Sequence, residues 1–482
     1  MINIRLIIKA LGFLLLVEGI SMLLALVVTL IYNEYDTNAF AVSASVSISV
    51  GAINILFTRK ISEKMNKREG FTIVSLVWIV FSFFGCLPYI LSGAIPNFTN
   101  AFFETMSGFT TTGSSILNNI EELPHGILFW RSMTQWLGGM GIIVLSLAIL
   151  PIFGIGGMQL YAAEVPGPAP DKISPKIKQT AKMLWSIYLL FTVSEMLLLW
   201  IGGMNIFDAV CHSFTTMATG GFSTKQASIA HWDSPFIHYV IIVFMFLAGT
   251  NFSLSYCALK GNFKRVFADE EFRFYLFFIG FFTVLIFLGQ LVSSYYGVEM
   301  AFRHSMFQVI SILTTTGYAT ADYLLWHPLL TILIFTLFFF GGSAGSTGGS
   351  VKIMRIVILL KNSYYELRRM IHPHAVIPVK FNKHSVDPKI VTNVLAFFIM
   401  YFLIFIISTV IFTGIEPDLE SAMGAVATCL GNIGPGIGKV GPAENFLYIA
   451  PAGKWFLSGL MLLGRLELFT VLVLFTPTFW KD

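Results

Sequence analysis

Long apolar runs alternate with short polar connections along almost the whole chain. A bilayer core of about 30 Å is crossed by roughly 20 helical residues, so runs of that length predict transmembrane helices. The pattern therefore predicts about ten spans in an all-α polytopic membrane protein. The runs lie near residues 7–32, 38–58, 71–93, 125–150, 179–202, 235–259, 272–293, 327–360, 390–413 and 453–479.

Four shorter apolar pieces interrupt this pattern, and a loop rich in threonine and glycine follows each of them. The pieces have about 10 to 14 residues, which is too few to cross a bilayer. They follow the third, fifth, seventh and ninth spans. The loops read GFTTTGSSI from Gly108, TTMATGGFST from Thr215, ILTTTGYAT from Ile312 and TCLGNIGPG from Thr428.

This order predicts a two-helix leader followed by four pseudo-symmetric repeats of span, half-helix, loop and span. Irregular backbone at membrane depth must line water or lie buried in protein. Four such loops therefore indicate one shared cavity, and hence one pore. We place the leader at residues 1–70 and the four repeats at 71–160, 161–265, 266–385 and 386–482.

Composition and charge agree with this architecture and add an orientation. Hydrophobic residues make up 56% of the chain and charged residues 12%, with a mean hydropathy of +0.77, which excludes an ordinary soluble domain. Of the 30 lysines and arginines, 24 lie near the termini or on alternate connections. The positive-inside rule makes those connections and both termini cytoplasmic. We expect the lipid bilayer, and no nucleic acid, as the chain's surroundings.

The half-helices carry acids that bear on the charge of the solute. Glu104, Asp208, Glu299 and either Asp418 or Glu420 lie beside their expected starts. An acid is favourable near a helix N-terminus, and the negative end of the helix dipole would then point toward the loop. That field suits a cation.

The loops themselves have the chemistry of a cation filter. Backbone carbonyls from converging loops can replace the hydration shell of an ion, and glycine permits the backbone angles that this requires. In the fourth repeat Gly431 offers a second register. The predicted filter residues are Thr111, Thr112, Gly113, Ala218, Thr219, Gly220, Thr315, Thr316, Gly317, Asn432, Ile433 and Gly434.

A second unusual segment, FGGSAGSTGGS at Phe340–Ser350, interrupts the eighth span. Each interior glycine costs a helix about 1 kcal/mol relative to alanine, so the run predicts a break. Glycines at 341, 345 and 349 are also spaced as in close helix packing. The match to G-x-S-x-G around Ser343 admits a remote alternative, an intramembrane serine hydrolase, but no histidine in the last two spans offers a base.

Arg465 is a charge about twelve residues into the last span. An arginine at that depth is costly and usually faces a cavity or a partner. The simpler interpretation is a structural pair with Glu467 or with an acid of a pore helix.

The motifs TTTGSS, TGGFST, TTTGYAT and GNIGPG, with the two-span leader and four repeats, resemble the Trk/Ktr/HKT superfamily of potassium transporters over essentially the whole length. Within it the chain is most similar to the bacterial TrkH family. The resemblance implies a potassium-channel-like fold, with potassium bound at the filter residues. Glycine at all four filter positions, Gly113 included, resembles the potassium-selective members, whereas serine at the first position marks sodium-permeable relatives.

The same resemblance implies a function and a gate. It implies potassium uptake across the bacterial inner membrane by a homodimer, with no covalent cofactor and no enzymatic activity. It implies a cytosolic nucleotide-binding regulatory subunit, TrkA-like, and a positive Arg465 that hinders permeating cations. A proton- or sodium-coupled potassium symporter of the same fold remains the alternative. The implied gate comprises Gly341, Gly342, Ser343, Ala344, Gly345, Ser346, Thr347, Gly348, Gly349 and Arg465.

Overall fold

Two long antiparallel helices form the leader, α1 (Ile4–Tyr32) and α2 (Thr37–Phe57). The structure is a computed structural model that describes residues 2–59, 65–141, 177–293 and 297–480. Small residues let the two helices approach closely: a Cβ built on Gly51 would lie 2.8 Å from the carbonyl oxygen of Gly12. Backbone contact of this kind is the usual way in which apolar helices associate in a membrane.

Four units follow the leader, each with an entry helix, a short pore helix, a loop and an exit helix. The first contains α3 (Lys67–Gly85), α4 (Leu87–Leu91), pore helix α5 (Phe98–Phe109) and α6 (His125–Trp136), which continues as a π-turn at Leu137–Gly141. The second contains α7 (Ile177–Ile201), pore helix α8 (Ile206–Met217), α9 (Pro235–Ala248), α10 (Phe252–Leu259) and α11 (Phe263–Ala268).

The third and fourth units repeat this order. The third contains α12 (Glu270–Ser293), pore helix α13 (Val298–Leu313), α14 (Pro328–Leu337), α15 (Ile353–Ile371) and an antiparallel hairpin of β1 (Lys380–Phe381) and β2 (His384–Ser385). The fourth contains α16 (Pro388–Thr413), pore helix α17 (Leu419–Gly431), α18 (Pro451–Arg465), α19 (Phe469–Leu472) and α20 (Pro477–Trp480). Single 3₁₀ turns lie at Ile120–Glu122, Ser228–His231, Tyr323–Leu325, Gly438–Val440 and Val473–Phe475.

The all-α membrane architecture predicted from the sequence is confirmed. Within the described residues, six helices are long and apolar enough to span a bilayer, and two bent helix pairs raise the number to eight. The predicted span at 125–150 lies outside the described residues from position 142 onward. The predicted span at 327–360 is interrupted between α14 and α15.

Two further breaks were not predicted. The sequence indicated that only the eighth span is broken, but the α9–α10 pair bends by 111° and the α18 pair by 110°. At the first bend the freed carbonyl of Gly249 accepts a hydrogen bond from the N–H of Ser343 at 2.8 Å, and Asn251 caps α10. At the second bend Glu467 and Leu468 both have positive φ. Because another segment satisfies the freed backbone groups, the bend at Gly249 can exist inside the membrane.

The four pore helices begin at caps and end at the loops. Asn97, Asn205 and Asp418 accept a hydrogen bond from a first-turn N–H with their side chains. The first turn of each later pore helix holds its expected acid. The expectation for Glu104 was wrong, since α5 begins at Phe98 and Glu104 lies in its middle, where it forms an ion pair.

Asp36 lies beside the contact between the leader and the first exit helix. Its carboxylate is fully buried and neither oxygen has a hydrogen-bond partner among the described residues. The neighbouring Glu34 accepts hydrogen bonds from the backbone N–H groups of His125 at 2.9 Å and Gly126 at 3.2 Å. Burial and the negative charge of Glu34 raise the pKa of Asp36 to about 6. The folded state therefore favours the protonated form, and this contribution to stability is lost as the pH rises through 6.

We predict that Asp36→Asn raises the melting temperature of the detergent-purified protein by several degrees at pH 7.5 and has little effect at pH 4.5. The amide replaces a carboxylate that must otherwise ionise while buried. Thermal unfolding followed by tryptophan fluorescence at both pH values measures this. Asp233→Asn, which changes an exposed carboxylate before α9, is the matched control. A stabilisation of equal size at both pH values would contradict this account.

Candidate functional site

The four Thr/Gly loops share one backbone geometry. Each pore helix is followed by a residue in the left-handed region and, two positions later, by a glycine with positive φ. The left-handed residues are Thr111 (φ 53°), Thr219 (52°), Thr315 (59°) and Asn432 (53°), and the glycines are Gly113 (84°), Gly221 (74°), Gly317 (80°) and Gly434 (106°).

The residue between them points its N–H back to the pore helix in every repeat. These four hydrogen bonds each reach the carbonyl five residues earlier, so the loops are structural equivalents. They join Thr112 to Ser107 at 2.8 Å, Gly220 to Thr215 at 2.8 Å, Thr316 to Ser311 at 2.9 Å and Ile433 to Thr428 at 3.0 Å.

The four glycines close a ring. A Cβ on each would approach the carbonyl oxygen that precedes the equivalent glycine of the next repeat, and the fourth repeat returns to the first. Such contacts leave no room for a side chain, so the loops pack backbone against backbone around one axis. The distances are 2.2 Å from Gly113 to Gly220, 2.0 Å from Gly221 to Thr316, 2.0 Å from Gly317 to Ile433 and 3.0 Å from Gly434 to Thr112.

In the second repeat the triple equivalent to those of the other loops begins one residue later than the predicted filter triple. The equivalent triple there is Thr219, Gly220 and Gly221, and Ala218 is the C-cap of α8. In the sequence analysis Gly220, the first glycine of the TGG motif, is matched with the single glycines of the other loops. The backbone conformation instead makes Gly221 their equivalent. In the other repeats the triples coincide with the predicted positions, and in the fourth Gly434 has positive φ whereas Gly431 is the last residue of α17.

A small cavity of about 80 Å³ opens onto one side of this ring. All four glycines line it, together with Ser114 and Ser223. The C-terminal, negative ends of the four pore helices face the loops. Polar backbone, helix dipoles and the absence of side chains at the glycines together favour a cation on this axis.

A buried ion pair supports the first two loops. Arg131 Nε lies 2.7 Å from Glu104 Oε1, with both side chains almost wholly buried. The other oxygen of Glu104 accepts the N–H of Ile116, and Arg131 also donates to the carbonyl of Ser223 at 2.8 Å. A buried pair is tolerated when further hydrogen bonds satisfy both partners. Two opposite charges in apolar segments were the signal from which this pair could have been predicted.

Polar contacts also join every neighbouring pair of loops. Gln135 donates to the carbonyl of Gly220 at 2.6 Å and accepts from the N–H of Phe222 at 3.0 Å. Further bonds link Thr215 to Tyr318, Tyr323 to Gly436 at 2.6 Å, and Asn432 to Thr112 at 2.8 Å. Gln135, Tyr318 and Tyr323 are not singled out in the sequence analysis, because polar side chains in apolar segments carry no local pattern.

The interrupted segment between α14 and α15 lies directly beneath the ring. The Thr347 hydroxyl lies 3.2 Å from that of Thr219, and the N–H of Gly349 donates to Thr315 Oγ1 at 2.7 Å. A Cβ on Gly349 would lie 2.3 Å from the carbonyl oxygen of Gly431. The segment therefore contacts three of the four repeats.

Arg465 completes this lower layer. Its guanidinium donates to Thr111 Oγ1 at 3.0 Å, to the carbonyl of Thr347 at 2.9 Å, and to the carbonyls of Gly138 and Gly139 at 2.6 and 2.7 Å. The simpler expectation of a pair with Glu467 is not what the structure contains, because Glu467 binds Arg355. Arg465 thus joins the first loop, the interrupted segment and the π-turn.

The rest of the predicted gate residues hold the segment in place. The N–H of Gly341 donates to Val351 at 2.8 Å, the carbonyl of Gly345 accepts from Phe252, and Ser346 donates to the carbonyl of Ser343. Glu271, which the sequence did not single out, accepts the N–H of Ala344 at 2.7 Å.

The segment is not helical, so its glycines do not form the packing stripe of one helix. The Ser343 hydroxyl is buried and has no hydrogen-bond partner in the described part of the chain.

Comparison with known proteins agrees with this geometry. Residues 37–481 match the TrkH family, described as a cation transport protein. The Trk system potassium uptake protein TrkH of Escherichia coli K12 is 44% identical, with 99% of each chain covered. That of Halomonas elongata is 40% identical over 99% of this chain and all of its own. The chain belongs to the TrkH family.

The likeness extends to three dimensions. The crystal structure of the potassium transporter TrkH from Vibrio parahaemolyticus matches with a TM-score of 0.90 and 39% identity, over 100% of both chains. Family membership makes the chain a membrane transport protein rather than an enzyme, and the hydrolase alternative is set aside.

We predict that Gly221→Ala lowers cation flux into liposomes at least about tenfold. A left-handed conformation costs an L-residue about 1–2 kcal/mol, and the added Cβ would lie 2.0 Å from the carbonyl of Thr316. The control is Gly280→Ala, at a position in α12 where a Cβ meets no atom within 4 Å. Full flux in Gly221→Ala would show that the ring contact is not essential.

Proposed function

We propose that the chain takes up potassium across the cytoplasmic membrane of a bacterium, through the ring of four loops. The closed circuit of contacts from Gly113 to Gly434 is the observation that carries this proposal, because it leaves backbone oxygens rather than side chains around one axis. The relatives named above are potassium uptake proteins, which supports potassium as the ion.

The ion would be held by the carbonyl and hydroxyl oxygens of four triples. Carbonyls in such loops replace water around a dehydrated ion. In the second repeat Gly220 shares its carbonyl with Gln135, so this repeat would contribute less. The proposed ligands lie at Thr111, Thr112 and Gly113; Thr219, Gly220 and Gly221; Thr315, Thr316 and Gly317; and Asn432, Ile433 and Gly434.

Uptake by this route requires no coupled ion. A membrane potential of 100 mV contributes about 2.3 kcal/mol per inward monovalent cation. At about 1.4 kcal/mol per decade this sustains a roughly forty- to fiftyfold gradient. We therefore propose channel-like conduction, with a proton- or sodium-coupled symporter of the same fold as the alternative.

The segment Phe340–Ser350 and Arg465 would form the gate. The contacts of Thr347 and Gly349 with the loops, and of Arg465 with Thr111, support a closed arrangement. Opening would require the segment to leave the space beneath the ring.

Partners and orientation complete the proposal. Both termini would face the cytoplasm, as the distribution of basic residues indicates.

The end of α15 carries exposed Leu367, Met370 and Ile371 beside Arg368 and Arg369. This surface is suited to docking a cytosolic nucleotide-binding regulatory subunit. The homodimer rests on the resemblance to the family. The repeat boundaries rest on the spacing of the four loops. The first of them lies inside α3, which begins at residue 67 rather than at the proposed boundary of residue 71.

We predict that wild-type protein in liposomes passes potassium and rubidium in preference to sodium and lithium, and that Gly113→Ser lowers this preference about tenfold, or about 1.4 kcal/mol. The serine Cβ would lie 2.2 Å from the carbonyl of Gly220 and displace it. Flux of the four ions under an imposed voltage measures the effect, with Gly280→Ser as control. Undiminished selectivity at normal flux would contradict the assignment of Gly113.

Arg465→Ala should raise potassium flux about tenfold, because it removes a positive charge and four hydrogen bonds that hold the gate. Arg465→Lys should retain part of the restriction because it keeps the charge. Flux per reconstituted chain is the measurement, and Arg369→Ala, on the far end of α15, is the control. Equal or lower flux in Arg465→Ala would argue against the gate.

A further inference from the structure

The bend between α9 and α10 opens a groove on the outside of the second repeat. The two helices meet at 111°, so α10 leaves the axis of α9, and both helices pack against α7. Between α10 and α7 is a cavity of about 420 Å³ that opens to the surroundings of the protein.

One wall of this groove is apolar and continuous with the membrane-facing side of α7. Met183, Ile187 and Leu190 lie on one face of the helix and line the groove. Leu190 is 48% and Ile187 3% exposed, and beyond Ser194 the row continues at Leu197, which is 42% exposed. A stripe of this kind fits an extended hydrocarbon chain.

The other end of the groove is basic. Lys182 on α7 and Lys260 after α10 both line it and both are exposed. The ammonium group of Lys260 lies 4.6 Å from the centre of the Tyr256 ring, which is also part of the lining. Among the residues that the structure describes, no carboxylate lines the groove.

The neighbouring helix α11 places this basic end at the surface of the bilayer. Phe263 and Phe267 are 57% and 58% exposed and flank Lys264 and Arg265 in the sequence. Exposed aromatic residues beside basic ones are typical of a segment at the boundary between headgroups and acyl chains. By the positive-inside rule this is the cytoplasmic leaflet.

We propose that this groove binds an anionic diacyl phospholipid of the cytoplasmic leaflet. The phosphate lies between Lys182 and Lys260, and an acyl chain follows Met183, Ile187 and Leu190. A phospholipid satisfies both the apolar wall and the positive end, and within the described ranges no acid lines the groove beside the two exposed lysines. The leaflet rests on the proposed orientation, whereas binding itself does not depend on the proposed transport.

The test is native mass spectrometry of the full chain in detergent, titrated with phosphatidylglycerol or phosphatidylcholine. Lys182→Gln combined with Lys260→Gln should weaken phosphatidylglycerol binding about thirtyfold. Two lysines at about 1 kcal/mol each give this factor at 1.4 kcal/mol per decade. The matched control combines Lys383→Gln with Lys389→Gln, two exposed lysines away from the groove, which removes the same charge and should bind as wild type.

Two further arms separate the sources of binding. Glycerol 3-phosphate, which has the phosphate without the tails, should not displace the lipid. Lys182→Arg with Lys260→Arg should bind as wild type, which guards against loss of fold in the glutamine variant. Equal weakening in both glutamine variants, or no preference for phosphatidylglycerol over phosphatidylcholine, would overturn the proposal. Because the readout is a bound mass, a chain that conducts no ion would leave this result intact.

Discussion

The structure depends on packing four irregular loops, backbone against backbone, inside a membrane. Lipid offers no hydrogen bonds, so every polar group of these loops must find a partner within the protein or face an enclosed polar path. Glycine at four equivalent positions makes the approach possible, since a Cβ at Gly221 would come within 2.0 Å of the next carbonyl. The polar side chains buried around the loops follow from this constraint. Arg131 and Glu104 satisfy each other and two loops at once, and Gln135 fixes a third point.

The lower layer obeys the same constraint. The segment between α14 and α15 is not helical, and three of its N–H groups bind oxygens of Gly249, Thr315 and Glu271. The bend of the α9–α10 pair supplies one of these acceptors. The guanidinium of Arg465 meets one hydroxyl and three carbonyl oxygens just below the ring. Arg465 therefore donates hydrogen bonds to these oxygens and also holds a fixed positive charge just below the ring. That charge would repel a mobile cation at this place.

Much of this arrangement could be predicted from the sequence, because hydropathy indicates membrane spans and local motifs indicate repeated loops. The four pore helices, their glycine loops, the interrupted segment and Arg465 were all found in this way. The bends at Gly249 and Glu467 could not be, since each depends on contacts with segments distant in the chain. The register at Gly220 and Gly221 was misplaced for a related reason: two adjacent glycines look alike in sequence, and only contact with Thr316 distinguishes them. The ion pair of Glu104 and Arg131 is not identified in the sequence analysis, although two opposite charges in apolar segments are a signal for it.

The central claim is that the four glycine loops surround one path for a dehydrated cation. Anomalous X-ray diffraction from crystals of the protein grown in rubidium tests it most directly. The account predicts rubidium peaks on the axis between Gly113, Gly221, Gly317 and Gly434, within coordination distance of the carbonyls that precede them. Rubidium peaks confined to other parts of the molecule, with an ordered and empty ring, would contradict it.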